Sequence, residues 1–134
     1  METFFIEPSE YNPKVHFDPQ KKVFEISGTS RPEDVVTFYE PILMKVDKFV
    51  SELLEENSVN ELRSFSFKLV FNLDYINSAS SKYILQIIDT FKRIYKQGIE
   101  VNVDWYYDDE DDQILEDGQD LSEVIQIPFN FIQR

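Results

Sequence analysis

The sequence predicts an α/β protein in which helices pack on a mixed sheet of about four to five strands. Three observations support this prediction. Apolar residues alternate from Phe65 to Tyr75, which is the period of a strand with one face against a core. The spacing then changes to that of an amphipathic helix, which is expected to end near Gly98. A second alternating segment follows at 99–107.

These segments form a strand, helix and strand unit at 65–77, 78–97 and 99–107. Their lengths predict a right-handed crossover between two parallel strands. Because parallel strands end at the same edge of a sheet, we expect Ser78 and the acidic run 108–112 to share one rim. Ligand and partner sites of α/β sheets favour this carboxyl edge, so the junction at Ser78 is the first candidate site.

The N-terminal segments are assigned from turn residues and alternation. Residues 1–14, interrupted by Pro8 and Pro13, are expected to form an arm laid over the body of the protein. The segments 15–18 and 23–27 alternate, and the turn-rich sequence between them predicts that they form a strand pair.

A long helix is predicted next, with two alternative starts. Ser30 followed by Glu33 fits a capping box, in which the serine is the N-cap. Alternatively, Arg31 is the cap and Pro32 is the first helical residue, a position that proline tolerates. In either case the helix is expected to end at 55–58.

Two interruptions and a last strand complete the predicted elements. Pro41 removes a backbone donor, so a kink or break is expected near 39–40. Residues 113–126 are in rough helical phase, and Gly118 is expected to divide them into two short helices. After these, 129–132 is predicted to close the core as a short strand.

Composition limits the classes of function. The 134 residues include 13 basic and 26 acidic side chains, a net charge of −13, so nucleic acid and anionic membrane surfaces are unfavourable partners. The absence of cysteine excludes disulfides and thiolate chemistry. Neither a membrane-spanning apolar run nor a secretion signal is found. We expect one domain, 1–134, located in the cytoplasm.

The sequence offers almost nothing for catalysis. It contains no P-loop, dinucleotide fingerprint, HExxH or Cys/His metal spacing, so no cofactor and no metal are expected. His16 is the only histidine and lies in a predicted strand, without a nucleophile motif nearby. The acidic run 108–112 lacks the ligand pattern of an EF-hand and is expected to be a solvated loop. A non-enzymatic protein without catalytic residues is therefore predicted.

The hydroxyl residues that follow the long strand have two interpretations. Asn77 or Ser78 is an N-cap, accepting a hydrogen bond from an otherwise unpaired backbone N–H group, which is worth about 1 kcal/mol. Alternatively, Ser78 is a regulatory phosphorylation site. A phosphate there would lie on free N–H donors at the positive end of the helix dipole.

Short motifs occur in a specific order along nearly the whole chain. They are Phe17-Asp18, Ile26-Ser27-Gly28-x-Ser30-x-Pro32-Glu33, Phe38-Tyr39-x-Pro41, Tyr75-Ile76-Asn77-Ser78-x-Ser80-Ser81-Lys82 and Val103-x-Trp105-Tyr106-Tyr107. This set resembles the SiaC family of regulatory phosphoproteins. That family is similar in architecture to STAS-type anti-sigma-factor antagonists, which also place a phosphorylatable hydroxyl where a strand meets a helix.

The resemblance implies a bacterial, non-enzymatic switch. In the family, a dedicated kinase phosphorylates a threonine in an Asn-Thr-Ser-Ser motif, and a PP2C-type phosphatase removes the phosphate. The unphosphorylated form binds and activates a diguanylate cyclase, which promotes cyclic-di-GMP signalling and biofilm formation. By position, the threonine falls on Ser78. This chain departs from the motif with serine in place of threonine and with Ala79 in place of the following serine.

The resemblance and the predicted edge together suggest a rim that binds the kinase and the effector. A phosphate on Ser78 would add about −1.5 to −2 charges, which Lys82 would favour and the run 108–112 would oppose. The alternative function is an anti-sigma-factor antagonist switched by serine phosphorylation. Besides Ser78, the residues expected at this rim are Asn77, Ser80, Ser81, Lys82, Ser30, Arg31, Asp108 and Asp109.

Overall fold

A six-stranded mixed sheet, with its strands in chain order, is the centre of the fold in the computed structural model, which describes residues 3–57 and 59–134. The predicted α/β class is confirmed, with more strands than expected. The strands are β1 (Phe4–Ile6), β2 (Lys14–Asp18), β3 (Val23–Ser30), β4 (Ser66–Ile76), β5 (Glu100–Tyr107) and β6 (Phe129–Gln133). The helices are α1 (Val35–Glu56), α2 (Val59–Leu62), α3 (Ser78–Tyr95) and α4 (Asp112–Ile125).

The sheet changes from antiparallel to parallel pairing at β3. The strands β1, β2 and β3 pair antiparallel, whereas β3, β4, β5 and β6 pair parallel. The predicted strand, helix and strand unit is confirmed as β4, α3 and β5. The prediction of an arm at 1–14 is wrong for β1, because Phe4–Ile6 pairs with β2 along the sheet edge. Met1, Glu2 and Ser58, which belong to the predicted arm and helix end, lie outside the described residues.

Alternating side chains divide the sheet into a covered face and an open face. On β4, Phe67, Leu69 and Phe71 are buried, whereas Ser66 and Lys68, which alternate with them, are exposed. The buried residues join one apolar cluster with the inner sides of α1, α3 and α4. Burial of this apolar surface is the main favourable term for folding. None of the helices in the described ranges is both long and apolar enough to cross a lipid bilayer.

The N-cap of α1 is Asp34, and both predicted starts are wrong. The Asp34 carboxylate accepts a hydrogen bond from the Thr37 backbone N–H at 3.1 Å. This hydrogen bond, together with one from the Thr37 hydroxyl, lowers the pKa of Asp34. Ser30 is instead the last residue of β3, and Arg31 lies in the connection after it. Strand pairing with β4 extends β3 through the position where the local sequence predicted a cap.

Pro41 lies inside α1 without dividing it. Of the kink or break predicted near 39–40, the break does not occur, since α1 is continuous from Val35 to Glu56. Tyr39 and Ile42, on either side of the proline, are both buried in the core. Packing on both sides therefore offsets the loss of one backbone donor.

A β-bulge changes the direction of the side chains near the end of β4. Gly28, with φ of 98°, and Thr29 are consecutive on β3, but the register shifts between them so that Asp74 is an extra residue on β4. The simple alternation predicted an inward Tyr75. Instead, Tyr75 is 50% exposed and Ile76 points into the core with 7% exposure. The bulge therefore turns Tyr75 outward just before α3 begins.

Gly118 lies within a continuous α4, so the predicted division of this helix is wrong. A Cβ atom at this position would lie 2.5 Å from Cδ1 and Nε1 of Trp105. The indole is fully buried and donates a hydrogen bond from Nε1 to the carbonyl oxygen of Ile114 at 2.8 Å. Glycine is therefore required for close packing of α4 on β5.

We expect Gly118→Ala to destabilise the protein by about 1–3 kcal/mol, because the added methyl group overlaps a buried indole held by its hydrogen bond. At an exposed helical site the same change would stabilise by about 1 kcal/mol. Urea denaturation measures the difference. Gln119→Ala, at the exposed neighbouring position, is the control and should change stability little. A Gly118→Ala protein as stable as the wild type would contradict this packing explanation.

Candidate functional site

The junction between β4 and α3 contains the hydroxyl that the sequence singled out. Ser78 is the first residue of α3 and is exposed. Asn77 is the N-cap, since its side-chain oxygen accepts a hydrogen bond from the Ser80 N–H at 2.8 Å. Its carbonyl oxygen also accepts from the Ser81 N–H at 3.0 Å. The Ser78 hydroxyl is therefore not needed to cap the helix.

A cleft of about 520 Å³ opens beside Ser78, between the end of β4, the first turns of α3 and one side of α4. Four predicted rim residues therefore lie together, while the side of the cleft contributed by α4 was not predicted. Only the path of the chain after β5 brings α4 here, and no local motif signals it. The lining residues are Tyr75, Ile76, Asn77, Ser78, Ser81, Lys82, Leu85, Gln113, Asp117 and Leu121.

The cleft combines groups that attract an anion with one carboxylate that repels it. Lys82 follows Ser78 by four residues, one turn along α3, and lines the same cleft. The backbone N–H groups of Ser78 and Ala79 have no hydrogen-bond acceptor within the part of the chain that the structure describes. Asp117 lies on the α4 side of the cleft. Burial raises the pKa of Asp117, and the negative charges of Asp120 and Asp111 raise it further.

Ser30 and Ser80 do not belong to the surface, contrary to the expectation that they form the rim. Both are fully buried, and their hydroxyl oxygens are 2.9 Å apart in a hydrogen bond. The hydroxyl of the fully buried Tyr39 lies 2.5 Å from the Ser30 hydroxyl oxygen. Burial raises the pKa of Tyr39 to about 12, so its phenol is protonated at neutral pH. These hydroxyls lie beneath the site and not at its mouth.

Arg31 and the acidic run lie outside the Ser78 cleft. Arg31 is exposed and its guanidinium stands 5.1 Å from the centre of the Tyr11 ring. Asp108 forms an ion pair with Arg134 at 2.8 Å, and both line a different cleft together with Asp109. The carboxylate positioned to oppose a phosphate on Ser78 is therefore Asp117, and not the run 108–112.

The described residues provide no cluster of metal ligands, and the single histidine of the sequence does not line the cleft. Within residues 3–57 and 59–134, no group of three or more histidine or carboxylate side chains could hold a metal ion. The His16 ring packs against Phe5, with ring centres 5.7 Å apart, and does not line the cleft. An exposed hydroxyl beside free N–H groups and Lys82 could accommodate a phosphate at the surface.

Comparison with solved structures shows the same fold in proteins of Pseudomonas aeruginosa. The SiaC chain in a complex of the diguanylate cyclase SiaD with its activator SiaC superposes with a TM-score of 0.82 at 21% identity, covering 98% of this chain and 99% of that chain. Apo-SiaC superposes with a TM-score of 0.81, also at 21% identity, with the same coverage.

Sequence comparison extends the similarity over almost the full length. An uncharacterized protein of Pseudomonas aeruginosa strain UCBPP-PA14 is 22% identical over 129 residues, which is 96% of this chain and 94% of that protein. The family model described as SiaC family regulatory phosphoprotein matches residues 6–134. The resemblance seen in the ordered motifs is thereby confirmed, and this chain belongs to the SiaC family of regulatory phosphoproteins.

Proposed function

We propose that this protein is a phosphorylation switch whose unphosphorylated form binds and activates a diguanylate cyclase. Phosphorylation of Ser78 blocks this binding. The observation that carries the proposal is the exposed Ser78 hydroxyl beside a cleft at a helix N-terminus, with capping left to Asn77. Membership of a regulatory phosphoprotein family and the fold shared with SiaC, an activator of SiaD, support the same function.

The site favours Ser78 as the phosphate acceptor. Its hydroxyl is exposed and has no hydrogen-bond partner among the described residues, so a kinase need not break an internal bond to reach it. Serine offers the same hydroxyl oxygen as the threonine of the family motif. We propose that a protein kinase adds the phosphate and that a PP2C-type phosphatase removes it, so the chemistry belongs to these partners. The protein itself needs no cofactor and acts as one cytoplasmic domain, 1–134.

The surroundings of Ser78 explain how a phosphate would block an effector. Tyr75, Leu85 and Leu121 supply apolar surface around the cleft, which an effector can cover. A phosphate would add about −1.5 to −2 charges within this apolar surface. Lys82 and the free N–H groups would hold the phosphate in place, so an effector would have to desolvate it. Lys82 supplies a single positive charge, which does not neutralise a phosphate of about −1.5 to −2 charges. Burying the negative charge that remains is strongly unfavourable, and no refolding of the regulator is needed.

Phosphorylation of Ser78 should weaken binding to the cyclase at least tenfold, because the effector would cover an anion that Lys82 neutralises only in part. Ser78→Ala should bind within a few-fold of the unmodified wild type, because the serine hydroxyl contributes no cap. Isothermal titration calorimetry with diguanylate cyclases of the host measures affinity, and cyclic-di-GMP formation measures activation. Ser66→Ala, at the exposed start of β4, is the matched control and should remain switchable.

Two outcomes would contradict this proposal. Equal affinity of the phosphorylated and unmodified proteins for the cyclase would show that Ser78 is not the switch. Capture of an anti-sigma factor from host extract, with no effect on any diguanylate cyclase, would favour the alternative function of an anti-sigma-factor antagonist.

Lys82→Gln should raise the second pKa of phosphoserine 78, because removal of the nearby positive charge disfavours the dianion. Titration of the phosphorylated protein followed by ³¹P nuclear magnetic resonance measures this change. Lys96→Gln, at the other end of α3, is the control and should leave the titration close to that of the wild type. If both variants titrate like the wild type, Lys82 does not contact the phosphate.

A further inference from the structure

We propose that the buried hydroxyls of Tyr39, Ser30 and Ser80 are positioning groups that hold the first turn of α3 and select Ser78 as the phosphate acceptor. This inference rests on the proposed function of Ser78 and adds residues outside the cleft to it. The hydroxyls join the consecutive elements β3 and α1 to α3, whose Ser80 is 50 residues from Ser30 in the sequence. Their geometry points to a defined chain of hydrogen bonds.

The direction of each hydrogen bond follows from the number of protons available. Ser80 donates its proton to the Ser30 carbonyl oxygen at 3.3 Å. Ser30 donates its proton to the Ser80 hydroxyl oxygen at 2.9 Å. The remaining bond, 2.5 Å long, must then be donated by the Tyr39 phenol to the Ser30 hydroxyl oxygen. Each of the hydroxyl protons is therefore used once.

The Ser30 carbonyl oxygen joins this chain to the helix cap. It accepts hydrogen bonds from the Ser80 hydroxyl and from the Asn77 backbone N–H, the latter at 3.0 Å. Asn77 in turn accepts from the Ser80 N–H through its side chain. The end of β3 thus holds both the cap residue and the third residue of α3.

Burial makes the chain of hydroxyls sensitive to loss of one member. Tyr39, Ser30 and Ser80 are each 0% exposed, so water cannot replace a missing partner. The Tyr39 ring is also fixed, since it stacks on Tyr83 with ring centres 5.4 Å apart and planes 10° apart. A change that removes only the phenol oxygen should therefore loosen the start of α3 and leave the aromatic packing in place.

Because Ser80 is held in the interior, the geometry of the helix determines that Ser78 is the serine exposed to a kinase. Two residues along a helix turn the side chain by about 200°, so Ser80 and Ser78 face opposite sides. The anchored Ser80 points into the protein, which leaves Ser78 exposed. With the anchor weakened, the turn can rotate or fray, so that Ser80 becomes reachable and Ser78 is no longer held in one place.

The test compares Tyr39→Phe with the wild-type protein by amide hydrogen exchange. We expect the N–H groups of Ser80 and Ser81 to exchange at least several-fold faster in the variant, while those near Ile94 in the same helix stay unchanged. A general loss of stability would instead speed up amide exchange at both ends of α3. Tyr95→Phe, which removes an exposed phenol, is the matched control and should behave like the wild type.

Phosphopeptide mapping after treatment with the host kinase gives the second readout. Tyr39→Phe should be phosphorylated more slowly at Ser78, with part of the phosphate on Ser80. If Tyr39→Phe does not fold, Ser80→Ala replaces it, and only the faster exchange and slower Ser78 phosphorylation are then expected. Unchanged exchange at the start of α3 would overturn the positioning role. A wild-type protein that no host kinase modifies would contradict the proposed function instead, and the exchange comparison would still decide the positioning role.

Discussion

The carbonyl oxygen of Ser30 is the point on which the arrangement of the site depends. It accepts hydrogen bonds from Asn77 and Ser80, so the end of β3 determines where β4 stops and α3 starts. The β-bulge opposite Gly28 sets the register that brings Ser30 beside Ile76. Without this register, the cap, the exposed serine and the cleft would not occur together.

The electrostatics of the chain suit a switch that acts through one local charge. The net charge is already −13, so a phosphate changes the overall field only slightly. Its effect is local, because Lys82 and free N–H groups lie on one side and Asp117 lies on α4. In the proposed switch, an effector that covers the cleft would therefore encounter a new anion beside Lys82 and Asp117.

The predictions failed where a local rule competed with contacts from distant parts of the chain. Ser30 satisfied the rule for a capping box, but pairing with β4 kept it in a strand and left the cap to Asp34. Gly118 satisfied the rule for a helix break, but it serves the close approach of Trp105. Ser80 lies two residues after Ser78 in the same serine-rich stretch, yet it is buried and hydrogen-bonded to Ser30.

The sequence by itself determined the α/β class, the unit β4, α3 and β5, and the position of Ser78 at a helix start, because periodicity and capping depend on neighbouring residues. Only the tertiary structure decided which hydroxyls are exposed and that Asp117 of α4 borders the cleft beside Ser78. These features depend on strand register and on packing between segments far apart in the chain, which no local pattern encodes.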